Sequence, residues 1–259
     1  MKIVIVTQDA PMYMAEFLDR FLDGLSTTAH RVEGIVVCSP FFQKSRCQEI
    51  KERYHFYGPL DFLRLAGHIC WHKGLALLHP LAGCHSVGNV IRKYCLQRCP
   101  LTDINGREFL NYLRDSDIDL VISIATPKLF KAELLQTPLH GCINYHTALL
   151  PQYRGRQPLF WALMHDESEV GISVHEMDEQ LDSGPIIAQT KVPVKPDDSL
   201  HSLYQKTICR GPQLLLEAIA KLAAGDAERI ANDASRGSCF QFPTREEARR
   251  FRNLGKHFF

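Results

Sequence analysis

A doubly wound α/β fold with a mostly parallel sheet is what this sequence predicts, and three features predict it. Short β-branched or almost wholly apolar runs recur at residues 2–7 (KIVIVT), 32–38 (VEGIVVC) and 118–124 (IDLVISI), the pattern of strands covered on both faces. Segments with apolar residues at helical spacing lie between them, and the alternation continues from residue 2 to about residue 195. The chain has 259 residues, 45% apolar and 23% charged, enough for one substantial core with a small appendage and too few for several full domains.

Taken in order, the first strand leads into a helix over 12–25, where Met14, Phe17, Leu18, Phe21, Leu22 and Leu25 repeat on one face. The second strand at 32–38 is followed by a stretch, 39–100, in which basic, aromatic and histidine residues mix with helical fragments at 59–71 and 87–95. The pattern sets no clear boundaries there. Residues 105–116 read as a helix with Phe109, Leu110 and Leu113 on one side, leading into the buried strand 118–124. A short strand at 142–145 ends at Asn144 and His146, and 157–165 reads as a helix with Leu159, Phe160 and Leu163 inward. Strands at 171–175 and 186–194 flank an Asp-Ser-Gly-Pro turn within 181–185. Residues 197–223 carry a long amphipathic pattern that begins with capping Asp and Ser residues, and Gly211 and Pro212 are expected to break or kink it. The last 35 residues read as a tail. Its Arg245, Arg249, Arg250, Arg252 and Lys256, offset by Glu246 and Glu247, fit a solvated helix packed by Phe251, Phe258 and Phe259 better than a nucleic-acid contact. The division this suggests is an α/β unit over 1–205 and a short C-terminal helical extension over 206–259.

A formal net charge of +1 implies no global pull toward nucleic acid or a membrane surface. No run reads as a signal peptide or a membrane span, so the expected location is cytoplasmic. Nine cysteines, an odd number, are then expected as reduced thiols packed as small hydrophobes. Cys95 and Cys99 share a helical spacing but have no second cysteine pair, so no metal site is expected.

The segment GCINYHTALLPQYRG, residues 141–155, holds the densest chemistry. Asn144 and His146 straddle Tyr145, so a strand that persists to His146 projects both to one side, an amide and an imidazole within reach of one small reacting group. The plain alternative is an Asn in a turn and a His satisfied by backbone. Asp182 lies in LDSGP, a segment that must turn sharply, and a carboxylate there can reach back to orient an imidazole. Taken singly, Asp182 reads as a turn residue.

The ordered run Asn144-Tyr145-His146, Leu149-Leu150-Pro151, Tyr153-Arg154-Gly155 and then Asp182 in Leu-Asp-Ser-Gly resembles the signature of the folate-dependent formyltransferase family. The likeness extends more weakly over about residues 1–205. It implies a Rossmann-like catalytic domain, 10-formyltetrahydrofolate as formyl donor, no metal, and Asn144, His146 and Asp182 as the catalytic trio. It also implies that the loop holding Ser123, Ala125, Thr126, Pro127 and Leu129 binds the pterin largely through backbone, bordered by Leu181 and Gly184. Gln8, Tyr153, Arg154 and Gly155 are then expected at the acceptor, and the family leaves a homodimer open.

Such a transfer needs these residue types. A neutral amine attacks a formamide carbon and negative charge gathers on its oxygen, where one preorganised donor such as Asn144 is worth roughly 3 kcal/mol. His146 serves as a second donor and as a proton carrier between the amine and the departing folate nitrogen, and Asp182 fixes its ring. No nucleophilic Ser or Cys at a recognisable turn stands beside His146, so no acyl-enzyme is expected.

The first strand-to-helix turn, Thr7-Gln8-Asp9-Ala10-Pro11, has no glycine. That argues against a nicotinamide enzyme and against the glycinamide ribonucleotide branch of the family, which has a glycine-rich turn there. Gln157-Pro158 resembles instead the transfer RNA and sugar branches, and only some 55 residues follow position 205, short of the transfer RNA enzyme's second domain. The acceptor expected is therefore the amino group of a nucleotide-linked amino sugar. Its diphosphate and base would lie against 39–100, where His72, Lys73, Arg92 and Lys93 supply charge, and against the loop after Arg154. The alternatives are a methionyl-tRNA formyltransferase-like enzyme, a formyltetrahydrofolate hydrolase and a non-catalytic folate- or nucleotide-binding protein.

Overall fold

The computed structural model describes residues 1–10, 12–38, 45–79, 85–99 and 103–259. Parts of the hard-to-read stretch (39–44, 80–84 and 100), Cys84, and Pro11 of the first turn lie outside the described residues.

In chain order, β1 (Lys2–Gln8), α1 (Met14–Leu25) and β2 (Arg31–Cys38) open the fold, followed by α2 (Arg46–Leu78), α3 (Val87–Lys93) and α4 (Arg107–Asp115). Then come β3 (Leu120–Ile124), α5 (Ala132–Gln136), β4 (Cys142–His146), β5 (Arg154–Gly155), α6 (Pro158–Met164), β6 (Glu169–Glu176) and β7 (Ile186–Pro193). The chain ends in α7 (Leu200–Ala224), β8 (Cys239–Phe240) and α8 (Arg245–Asn253).

Six strands form one sheet in the order β2-β1-β3-β4-β6-β7. The first four are parallel, while β6 pairs antiparallel with both β4 and β7. From β1 the chain moves outward to β2 and then back to β3 on the other side. That reversal is the winding switch beyond which ligands sit, at the carboxyl ends of the strands.

Both faces are covered, which is why Ile3, Val4, Ile5 and Val6 of β1 and every residue of β3 but Ser123 are apolar. One face packs Ile3, Ile5, Ile122 and Ile143 against Phe17, Leu18, Phe21 and Leu22 of α1, Phe160 of α6, and Leu215 and Ile219 of α7. The other packs Val4, Val6 and Val121 against Phe109, Leu110 and Leu113 of α4 and Leu134 of α5. Burial of each such side chain is worth about 1.5–3 kcal/mol.

The helices are distributed through the chain rather than gathered in the C-terminal segment. Two short elements, α5 and β5, have no periodic signal long enough to predict them. The fragments at 59–71 and 87–95 belong to two helices, and the first extends over Arg46–Leu78, with Gly58 at φ 73° and Pro59 resetting its axis. Gly211 and Pro212 do not break α7, which is unbroken from Leu200 to Ala224. Gly211 serves packing: a Cβ there would lie 2.3 Å from the Tyr145 hydroxyl, which donates to the Thr207 carbonyl of the same helix at 3.2 Å. Because α7 runs through position 205, the division drawn there from sequence falls within a helix. The tail adds a strand as well as α8, whose Phe251, with Phe258 after it, is buried against Phe160.

No helix among the described residues is long and apolar enough to cross a membrane. Of the eight cysteines described, all free, only Cys99 and Cys142 are buried and Cys38 is half-buried. The expectation that thiols pack as small hydrophobes fails for Cys47, Cys70, Cys95, Cys209 and Cys239, which sit on helix and tail surfaces.

Candidate active site

Strand β4 ends with Asn144 and His146 on one side of the sheet, and the turn between β6 and β7 folds back to bring Asp182 between them. Asn144 Nδ2 donates to Asp182 Oδ1 at 3.2 Å. His146 Nδ1 lies 3.7 Å from Asp182 Oδ2, and the Gly155 backbone N–H donates to that same oxygen at 2.8 Å. His146 and Asp182 are only 7% and 8% exposed, so these contacts act in a site largely withdrawn from water. Asp182 sits at φ 50°, a conformation an aspartate tolerates, and the turn is pinned by Asn232, whose Nδ2 donates to the carbonyls of Asp182 at 3.0 Å and Gly184 at 2.9 Å.

Burial on its own would raise the Asp182 carboxyl. The facing His146, the neighbouring His175 and the Gly155 N–H outweigh it and hold the carboxyl well below the usual carboxylate range. Asp182 is therefore a carboxylate at neutral pH.

His175 is the fourth side chain of the group, and it was not foreseen. It stands directly opposite Asn144 in the antiparallel β4–β6 ladder. Its Nδ1 donates to the Glu176 carbonyl at 2.7 Å, which leaves Nε2 to accept from Asn144 Nδ2 at 3.1 Å. Both amide hydrogens of Asn144 thus have acceptors, Asp182 and His175. His146 is fixed in the same manner, its Nε2 donating to the Tyr153 carbonyl at 3.0 Å, which leaves Nδ1 on the Asp182 side.

The other sequence-derived positions surround this group at differing depth. Ser123 is the register partner of Asn144 across β3–β4, and its Oγ donates to Thr126 Oγ1 at 3.1 Å, which in turn donates to the Val6 carbonyl. Ala125, at φ 54°, and Pro127 and Leu129 are exposed on the loop that follows, as is Leu181 on the opposing turn, while Gly184 is buried. Gln8 ends β1, two strands away from β4.

Tyr153 contributes its backbone to His146, but its hydroxyl turns the other way, donating to Glu167 Oε1 at 2.6 Å. Its ring stacks on Phe240. Arg154 and Gly155 form β5 and pair with β8, so the C-terminal segment holds the loop that completes the site. Arg154 Nη2 donates to the Ala234 carbonyl at 3.4 Å, while its buried Nε has no partner among the described residues. Among the described residues no cluster of His, Cys, Asp and Glu is arranged to hold a metal ion.

An Asn-His-Asp group, with the His and Asp buried, at the carboxyl end of a doubly wound sheet is also what comparison with known proteins connects to one family. The formyl transferase family model matches residues 1–219. The methionyl-tRNA formyltransferase of Kosmotoga olearia is 34% identical over 161 residues, covering 62% of this chain and 52% of that protein. That of Synechococcus sp. strain JA-3-3Ab is 37% identical over 131 residues, 51% of this chain and 41% of its own. The chain spans about half the length of the curated relatives it matches. Among solved structures, a sugar N-formyltransferase from Shewanella sp. FDAARGOS_354 superposes with a TM-score of 0.61 at 16% identity, covering 100% of this chain and 90% of that one. A 4-N formyltransferase from Francisella tularensis gives 0.59 at 22%, covering 93% and 76%. Identities this low speak for the fold alone. With the family model spanning most of the chain, and the trio inside the matched segment, the chain belongs to the formyl transferase family.

Proposed function

We propose that this protein transfers a formyl group from 10-formyltetrahydrofolate to a primary amine, with Asn144, His146 and Asp182 carrying the chemistry. The observation that supports this most is the convergence of the three side chains around one buried carboxylate, 3.2 Å from the amide and 3.7 Å from the imidazole. The donor supplies a formyl carbon attached to nitrogen. Asn144 gives up its bond to His175 Nε2 and donates instead to the formyl oxygen as charge gathers there. His146, held by the Tyr153 carbonyl, takes the amine proton at Nδ1, where Asp182 stabilises the resulting cation, and passes it to the folate nitrogen as the carbon–nitrogen bond breaks. Asp182 keeps its charge throughout.

The apolar surfaces of Ala125, Pro127, Leu129 and Leu181, exposed on the loops flanking this polar centre, suit a flat aromatic ring, with Ser123, Thr126 and Gly184 shaping the backbone that holds it. An N-formyltransferase from Helicobacter canadensis with this fold is described in complex with folinic acid and dTDP-3-aminofucose, which supports a folate as a ligand of this chain. Of the positions expected at the acceptor, Gln8 and Arg154 would face it, while the Tyr153 hydroxyl is engaged by Glu167 and the Gly155 N–H by Asp182. The Arg154 Nε, without a partner among the described residues, supports an anionic group on it.

Two acceptors are supported by different observations. Identities of 34–37% to methionyl-tRNA formyltransferases favour a related aminoacyl acceptor. A likeness to a sugar N-formyltransferase that covers the whole chain favours a nucleotide-linked amino sugar. Incubation with 10-formyltetrahydrofolate and either methionyl-tRNA or a panel of nucleotide-linked amino sugars, monitored by tetrahydrofolate release, separates them. Release that depends on one acceptor class identifies it. Release at the same rate without any amine would replace transfer by hydrolysis, and no release with any acceptor would sink the proposal.

A further inference from the structure

Gln157 stands between the catalytic group and α6 on a backbone that its own residue type does not favour. It adopts φ 57° and ψ 47°, the left-handed region, immediately before Pro158, where a residue ordinarily takes extended backbone. Glycine, asparagine or aspartate is the usual occupant of that region. Gln157 also holds the N-cap of α6, yet its side chain makes no capping bond. Ala125, Tyr153 and Asp182, left-handed residues that likewise bear a side chain, all belong to the loops of the active site.

The Gln157 side chain is held from α7 instead. Tyr204 donates from its hydroxyl to Gln157 Oε1 at 3.0 Å, the only hydrogen bond of that hydroxyl among the described residues. Burial pushes the Tyr204 hydroxyl pKa up, so it keeps its proton and gives it to the amide oxygen. The amide is thereby fixed one way round, with Nε2 turned from Tyr204 and without a partner among the described residues. The residue is half-buried and this nitrogen is not enclosed.

The neighbours of this donor decide what it can reach. Gly155, whose N–H donates to Asp182 Oδ2, is two residues away along the chain, a span of no more than about 7 Å. On the other side Tyr204 stacks on Tyr13 at 4.7 Å, and Tyr13 is the residue before α1, the helix that follows β1. Tyr13 is itself held by a hydrogen bond with His201 at 2.9 Å. Contacts thus run without a break from the Asp182 carboxylate through Gln157 to the start of α1, the side of the site on which Gln8 ends β1. An acceptor that sets its amine against His146 and extends toward Gln8 runs past the Gln157 amide.

Given the transfer reaction proposed above, we infer that Gln157 is a specificity residue for the acceptor, its Nε2 donating to an oxygen that neighbours the reacting amine. Both acceptor classes carry such an oxygen, an ester carbonyl in methionyl-tRNA and a ring hydroxyl in an amino sugar. A purely structural link between α6 and α7 is the competing role, and Gln157→Glu separates the two. A carboxylate still accepts from Tyr204 but has no hydrogen to give to a ligand. Steady-state kinetics use whichever acceptor drives tetrahydrofolate release, methionyl-tRNA or the nucleotide-linked amino sugar. Gln157→Glu should raise KM for that acceptor about 10-fold or more, with kcat within about 3-fold of wild type and KM for 10-formyltetrahydrofolate unchanged. Gln157→Gly, which suits the left-handed backbone, should give the same split with a wild-type circular dichroism spectrum. Tyr204→Phe keeps the stacked ring and frees the amide to turn, so it should raise the acceptor KM about 3-fold alone and no further in the Gln157→Glu background. An acceptor KM within about 2-fold of wild type in both Gln157 variants, or a loss confined to kcat, would overturn the role of Gln157 and leave the reaction standing. A wild type whose release depends on no amine would instead remove the reaction, and the role of Gln157 with it.

Discussion

The end of β4 and the outer face of α2 are opposite solutions to burial. At β4, Asn144, His146, His175 and Asp182 are polar groups drawn into the fold, and each finds partners at 2.7–3.7 Å, so their geometry is over-determined. On α2, Leu60, Leu63, Trp71, Leu77 and Leu78 are apolar groups left outside. The contrast shows that the unusual feature of a region is the one that points to use: a satisfied polar cluster inside, an uncovered apolar strip outside.

The largest effect expected from perturbing either region is at His146. His146→Ala should lower kcat for tetrahydrofolate release by about 10²–10⁴-fold with an unchanged circular dichroism spectrum. A rate within a few-fold of wild type would remove the chemical meaning of the buried cluster. Asp182→Asn comes next, at about 1.5–3 kcal/mol of stability for a charged acceptor lost from the Gly155 N–H and Asn144. Its pH dependence has a definite sign. The folded carboxyl is held below its unfolded value of about 3.9, so the folded state binds fewer protons, and the stabilisation is complete above that value and lost as pH falls through the depressed one. Denaturation should therefore show a wild-type advantage that is flat from neutral pH to about 5 and shrinks only below about 4. The smallest effect belongs to α2: Leu63→Gln, at an exposed position, should change thermal stability by no more than about 0.5 kcal/mol. A larger loss would mean that this face packs within the monomer.

The sheet was legible because it rests on a short-range signal, and the trio came into view only through the resemblance carried by the ordered run from Asn144 to Asp182. Apolar runs such as IDLVISI can be buried on both faces only as inner strands, and Asn144 and His146 share a side through the two-residue period alone. His175 was not legible, because its approach to Asn144 depends on the antiparallel register of β4 and β6. Asn232 and β8 belong to a segment read as a tail. Their partners in the Asp182 turn and in β5 lie about 50 and 85 residues earlier, a separation that no local pattern encodes. Helix α2 was read as fragments because its apolar residues face both inward and outward, which blurs the one-sided stripe that marks a helix.

The amino-acid order by itself determined the alternation of strand and helix, the two-sided core, the shared side of Asn144 and His146 at a strand end, and the turn that holds Asp182, since these follow from local periodicity and backbone preference. Only the tertiary structure decided that α7 runs unbroken past Pro212, that His175 and Gly155 complete the carboxylate's surroundings, and that the C-terminal segment holds the active-site loop in place. Those outcomes depend on which distant surfaces fill one another's space and satisfy one another's hydrogen bonds, quantities that exist only once the chain has closed on itself.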